Sequence, residues 1–350
     1  MTRLRLGVVL LLGMSIAVAC VGDRGTSDEV LTPFGYVPRE CLFQHPAGTT
    51  LRRTDGGVRA IHADGTTKDY KSSARCLAFG KTYARRPTKA GDTTPIPSGW
   101  LSYAEWDWSN FIGKFTATYT IPNLPASPGL QNIYYFIGLQ DYTMSPFTIL
   151  QPVIGYNQNG GNGWTLSSWN CCPSGQVHQG NVVTGMGPGD SIDAAITQTS
   201  PESRTYSVTG NWKGKVASLN LELPTEAFND AVVTLEIYHV NSCSQLMRGP
   251  FTFSNLALFD TMNSPVTPTW WLTPPGGGTV CNGKLTLDGS TIAIQQNLPI
   301  CRDVNAGPIW SNADAQGKCP AACAAVSNTW NGQWTTTAPG EMSVCGCCGI

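Results

Sequence analysis

Two segments near the C-terminus carry the side chains best suited to chemistry in this chain: Trp310-Ser311-Asn312 and, further on, Gly332-Gln333-Trp334-Thr335. Sugars are held by stacking an apolar ring face on an indole and by hydrogen-bonding hydroxyls to amides and backbone groups. Trp310, Asn312, Gln333, Trp334, Thr335 and Thr336 provide both kinds of group, so they are candidates for holding a sugar; core packing is the competing role for either indole. Other reactive sets are thinner. The four histidines, His45, His62, His178 and His239, lie in no Gly-x-Ser-x-Gly or His-Glu-x-x-His context. A glycosidase needs two carboxylates across one groove, and Glu236 has no partner evident in the sequence. Asn159-Gly-Gly-Asn-Gly163 reads as a hairpin loop, because no lysine or helix follows it to make a phosphate cradle.

The chain has 13 cysteines, and setting Cys20 aside leaves an even number, compatible with six disulfides in an oxidising compartment. Cys319-x3-Cys323 and Cys345-x-Cys347-Cys348 have metal-like spacing, but no histidine lies near them. Disulfides are therefore expected, with no metal and no cofactor. Connectivity stays open at this stage, with Cys41 and Cys76 a candidate pair.

Positioning falls to β-strands. Only 13% of residues are charged, while Gly numbers 38 and Pro 24, a profile of a turn-rich β protein. Phe115–Ile121, Ile133–Gly138, Thr148–Ile154, Gly163–Trp169 and Ala231–Val240 are strand-length runs between turn clusters, with almost no helical period. On Ala231–Val240, Thr234, Glu236, Tyr238 and Val240 share one face and Leu235, Ile237 and His239 the other. The Leu/Ile side is the natural core side, so Glu236 should project from the opposite surface. Asn312 to about Ala325 reads as a short helix stapled by its own cysteines.

The N-terminus has Arg3 and Arg5, then apolar Leu6–Val18, then Ala17-Val18-Ala19-Cys20. That reads as a secretory leader whose end resembles a bacterial lipobox, which makes Cys20 the expected lipidated residue and the envelope surface the expected location; the alternative is an ordinary signal peptide with an incidental cysteine. Residues 21–100 hold twelve Lys and Arg against eight Asp and Glu, whereas 101–350 hold eight against fifteen. The basic stretch is too sparse and too poor in aromatics for nucleic acid. It could lie against the acidic remainder as a pro-segment.

Asp303-Val-Asn-Ala-Gly-Pro-Ile-Trp310-Ser-Asn-Ala-Asp-Ala-Gln316 and Trp330-Asn-Gly-Gln-Trp334-Thr-Thr resemble the mannan-binding module of cyanobacterial oligomannose lectins over about residues 302–348. The resemblance implies mannose-bearing chitobiose-core glycans as ligands, bound by Trp310, Ser311, Asn312, Gly332, Gln333, Trp334 and Thr335. A second, more distant resemblance runs over about 105–260. Tyr134-Tyr-Phe-Ile-Gly-Leu, Ile149-Leu-Gln151, Trp164 to Trp169, Met186-Gly-Pro-Gly-Asp-Ser-Ile192 and Leu235-Glu236-Ile-Tyr are similar to glutamic peptidases, the eqolisins. This implies a concanavalin-like sandwich that cuts polypeptides in acid, with Glu236 as general base, Gln151 steadying the oxyanion, and Trp164, Trp169 and Tyr238 lining the groove. The chain departs from that pattern at Pro152-Val153, at Thr165-Leu-Ser-Ser168, and at Val240, where a second carboxylate is usual.

The resulting expectation is mainly β: an antiparallel two-sheet sandwich with a small disulfide-rich α+β C-terminal module. The divisions expected are a leader (1–20), a tether and basic segment (21–99), the sandwich (100–264), a linker (265–301) and the module (302–350). Mannose-containing glycans are the expected partners, with a polypeptide substrate if the sandwich is a peptidase and the membrane reached only through the lipid. The alternative is a lectin or adhesin in which both parts only bind.

Overall fold

The computed structural model describes residues 28–83, 96, 98–141, 147–158, 161–200, 202, 204–273, 280–296 and 300–349. The leader with Cys20 and the Pro274–Gly278 stretch lie outside them. Two large sheets face each other. The eight-stranded sheet runs, edge to edge, Trp271–Thr273, Gly99–Asp107, Asp230–Tyr238, Asn132–Asp141, Thr148–Tyr156, Trp164–Cys171, Val177–Met186 and Leu42–Gln44. All its neighbours are antiparallel except the last pair. The eleven-stranded sheet centres on Gly249–Asp260, Ile112–Thr120, Ser191–Ser200 and Thr205–Trp212.

Strict alternation builds the core. Ile133, Tyr135, Ile137 and Leu139 on one strand and Ala231, Val233, Leu235 and Ile237 on the next all point between the sheets. Tyr119 pins the layers together: its hydroxyl accepts from the Ile137 amide at 2.9 Å and donates to the Pro152 carbonyl at 2.9 Å. The Tyr135 and Phe251 rings stack across the gap, centroids 3.9 Å apart.

The N-terminal segment is no loose tether. Leu42–Gln44 extends the eight-stranded sheet, and Thr50–Thr54, Gly57–Ile61 and Thr67–Lys71 extend the other. Before them lies a separate two-stranded hairpin, Glu29–Thr32 and Gly35–Pro38. The stretch expected as a linker also belongs to the sandwich. Thr291–Gln296 pairs with Gly249–Asp260 and buries Ile292 and Ile294, and Lys284–Asp288 pairs beyond it. Pro265, at the start of the expected linker, is itself in a short strand, Pro265–Val266, paired with Gly249–Asp260.

The C-terminal module is a three-stranded antiparallel sheet, Ile300–Gly307, Met342–Gly349 and Thr329–Ala338 with Met342–Gly349 central, packed on helix Asn312–Ala324. Ser311 caps the helix, its hydroxyl accepting from the Asp314 amide. The helix is not stapled to itself. Cys319–Cys345 and Cys323–Cys347 bolt it to the central strand, and Cys301–Cys348 ties two strands. Cys41–Cys76, Cys243–Cys281 and the vicinal Cys171–Cys172 complete six bridges. A module this small cannot bury a large core, so bridges take over that role.

Candidate functional site

In the module, an irregularity in pairing between Trp330 and Trp334 leaves Asn331, Gly332 and Gln333 bulged from the ladder. Gly332 supplies the positive φ of +88° that this bulge requires. Asn331 Oδ1 accepts the Gln333 amide at 2.9 Å, and the Trp330 indole donates to the Gln333 carbonyl at 2.8 Å. Opposite, Gly346 leaves room for the Asn331 side chain; a Cβ there would fall 2.6 Å from Asn331 Oδ1. The result is a pocket of about 330 Å³ lined by Arg302, Asp303, Asn331, Gln333, Trp334 and Thr335, with Cys301 and Gly346.

Gln333, Trp334 and Thr335, of the candidate set, line this pocket. Asn312 acts at one remove: its Oδ1 accepts from the Trp334 indole at 2.9 Å and fixes that ring. Ser311 is a helix cap and Gly332 a turn, so neither is a lining side chain. Trp310 is 72% exposed and outside the lining, its ring edge 3.4 Å from where a Cβ would sit on Gly340. The sequence analysis gave no site role to Arg302, Asp303 or Asn331, although Asp303 and Asn331 lie within the two quoted segments and Arg302 adjoins the first.

The sandwich presents a different situation. Gln151 and Glu236 do project from the same face, opposite the core, as alternation requires. They do not form a pair. Glu236 is level with Tyr134, whereas the partners Leu150–Leu139 and Val153–Phe136 set Gln151 level with Gly138. One strand and four residues of register separate them, roughly 13 Å along the strands and about 10 Å across. Phe136 projects midway between them and packs edge-on against Trp100. The residue level with Gln151 on the Glu236 strand is Val232. A water shared between amide and carboxylate is not what this register provides. Trp164 is a further correction: it points into the core against Tyr156, so it lines no groove.

This face is also covered. Phe34, Val37, Cys41 and Cys76 of the N-terminal segment form one apolar cluster with Tyr134, Phe136, Val153, Trp169 and Tyr238. Phe34 meets Trp169 edge-on at 5.9 Å. Gln151 has no exposed surface and Glu236 only 2%. Beneath the cover, both Gln151 amide atoms, the Tyr134 hydroxyl, the Trp169 indole N–H, Thr234 Oγ1 and Glu236 Oε2 have no hydrogen-bond partner among the described residues. Such a concentration is rare in an ordinary core, where buried polar atoms are paired. Glu236 Oε1 accepts from the Tyr238 hydroxyl at 2.5 Å. Burial raises the Glu236 carboxyl well above the usual range, and the Tyr238 hydrogen bond only partly opposes this.

Two other titratable clusters adjoin. Glu105, Asp107 and Asp230 bring carboxylate oxygens within 4.8 Å of one another, a set able to hold a cation; burial and then Glu105 push Asp230 up to about 10. His45 Nε2 lies 3.0 Å from His178 Nδ1 where Leu42–Gln44 joins the sheet. Burial, with His62 and Lys68 nearby, lowers His45 to about 4, and burial likewise lowers His178.

Comparison with known proteins separates the two regions. Residues 312–347 match the family model of mannan-binding protein. The lectin MVL of Microcystis viridis is 48% identical over 42 residues, which is 12% of this chain and 37% of that lectin. The chain thus spans little more than a third of the curated relative it matches. Among solved structures, it is similar to a scytalido-glutamic peptidase bound to a transition-state analog inhibitor, at 16% identity and a TM-score of 0.43, over 57% of this chain and 99% of that one. A Bacillus licheniformis β-glucanase aligns at 11% identity and a TM-score of 0.27, over 53% and 67%. Neither likeness bears on what the sandwich does.

Proposed function

We propose that this protein is a surface-displayed lectin that binds mannose-containing glycans through its C-terminal module. The pocket walled by Trp334 and edged by Gln333, Thr335, Asn331, Arg302 and Asp303 carries this reading, because it pairs an indole with converging donors and acceptors, and Asn331, Gln333, Trp334 and Thr335 lie inside the segment that matches the mannan-binding family. The indole stacks on a sugar face while the amides and charged groups take the hydroxyls. One module gives one site. Lipid attachment at Cys20 would array copies on an envelope surface and raise avidity without any new contact. Isothermal titration with oligomannose tests the pocket: the wild-type chain should bind, and Trp334→Ala should bind markedly more weakly. Binding that survives Trp334→Ala unchanged would remove the basis for this site.

For the sandwich, the geometry favours binding over hydrolysis. A general base must be ionised and within reach of its water; burial raises the Glu236 carboxyl and so disfavours its charged form, and one strand and four residues separate it from Gln151. We expect no peptide-bond cleavage between pH 2 and pH 7. Cleavage by the wild-type chain that disappears in Glu236→Gln would restore the peptidase reading.

A further inference from the structure

The N-terminal hairpin differs from the rest of its segment. Leu42–Gln44 and Thr50–Thr54 are laddered into the two large sheets, whereas Glu29–Thr32 and Gly35–Pro38 pair only with each other. The hairpin is held to the sandwich by side chains. Phe34 packs on Trp169. The tip residue Gly35, at φ +77°, brings its backbone close to Tyr238; a Cβ there would sit 3.5 Å from the Tyr238 hydroxyl. Tyr36 hydrogen-bonds through its hydroxyl to His239 Nε2. At its base, Asp28 pairs with Arg75 and Glu40 accepts from the Ser73 hydroxyl, while Cys41–Cys76 fixes the point where the hairpin leaves the sandwich.

What lies beneath is the set of unpartnered polar groups: Gln151, Tyr134, Thr234, the Trp169 indole and Glu236 Oε2. Each such group, buried without a partner, has lost its hydrogen bonds to water with nothing in return. The covered arrangement therefore stores an electrostatic penalty under a hairpin that is laddered into neither large sheet.

We infer that Glu29–Pro38 is a lid over this buried polar cluster, tethered at Cys41–Cys76 and latched by Phe34 on Trp169, and that it opens as pH rises.

The direction follows from linkage. With the lid closed the Glu236 carboxyl sits well above its ordinary value of 4.5, and with the lid open it returns to water and to that value. Its contribution to the closed state is fully present below 4.5 and is lost as pH climbs from there toward the raised value. The titratable groups facing Glu236 are Tyr238 on its own strand and Tyr134 on the next. Burial raises the Tyr134 phenol, so it stays neutral throughout this range. Tyr36 and His239 meet at the rim, and the Asp28–Arg75 pair sits at the exposed base, where salt screens it. His45 and His178 lie at the ladder beyond the tether and act on the sheet edge, not on the lid.

Hydrogen exchange by mass spectrometry on the full, disulfide-intact chain at pH 5 and pH 8 tests this. After correction for intrinsic exchange chemistry, amides of 29–38 should gain exchange in the wild type by up to ~tenfold per pH unit, with strand Asn132–Asp141 unchanged. Glu236→Gln should abolish that gain, and Phe34→Ala should expose the hairpin at both pH values. Hairpin amides as protected as Asn132–Asp141 at both pH values in the wild type would overturn the lid. A pH-dependent gain persisting in Glu236→Gln would overturn the role of Glu236. Should Phe34→Ala fail to fold, Tyr36→Phe, which removes only the rim hydrogen bond, replaces it with the same expected direction.

Discussion

The C-terminal pocket and the covered sheet face solve opposite problems. In the module the polar groups converge at the surface, are contributed mostly by one bulged strand, and are braced by neighbours such as Asn312 and Gly346. On the sandwich, polar groups from four strands lie under an apolar lid, several with no partner. The first arrangement is a finished recognition site. The second becomes one only when something moves. A site made of local sequence is visible as a motif, whereas a site made of cross-strand neighbours depends on register.

The strongest way to break the comparison is to remove the bolts of the module. Replacing Cys319 and Cys345 together by alanine should cost about 2–5 kcal/mol and abolish oligomannose binding, while the sandwich melts as before by calorimetry. If both regions unfold together, they are not the independent solutions described here. Next in size, Trp334→Ala should weaken oligomannose binding by about 2 kcal/mol, roughly thirtyfold, measured by titration calorimetry. Gly346→Ala, which drives a methyl into Asn331, should also weaken it, though less. On the sandwich, Glu236→Gln should leave sugar binding untouched and raise the melting temperature at pH 8. The sign follows from the raised carboxyl: the wild type loses stability above pH 4.5 and the amide does not, so the two should melt alike at pH 4. The smallest effect belongs to Trp310→Ala. Its ring stands outside the pocket lining, so affinity should change less than threefold, by under about 1 kcal/mol. A large loss there would show that the glycan extends beyond the pocket.

Much of this was legible from the sequence, for identifiable reasons. Period-two alternation on Ala231–Val240 placed Glu236 on the outer face correctly, since parity is local information. The same parity argues against pairing Trp164 with Trp169 in one groove: they are five residues apart on one strand, so one points in and the other out. What alternation does not encode is which residue lies opposite which. That depends on the lengths of the turns on either side of Thr148–Tyr156, and those set Gln151 beside Gly138 and Trp169 rather than near Glu236. The cysteines of helix Asn312–Ala324 were recognised as bridging, but their partners lie on the last strand, a long-range pairing that spacing does not reveal. Pro265 and the prolines at 274–275 were read as the ends of a domain. Ile292 and Ile294 show that the same sheet resumes after them.

The chain between Gln44 and Thr50 has a consequence for how the protein can be trimmed. It crosses from the rim of one sheet to the rim of the other, so a short stretch of polypeptide closes both edges at once. Proteolytic removal of everything up to residue 83 would strip Val177–Met186 and Lys215–Glu222 of their outer neighbours and leave two raw strand edges, the kind of surface that recruits other chains into aggregates. A maturation cut compatible with a soluble product must fall upstream of this crossing. Of the elements described, only the hairpin is free to be lost.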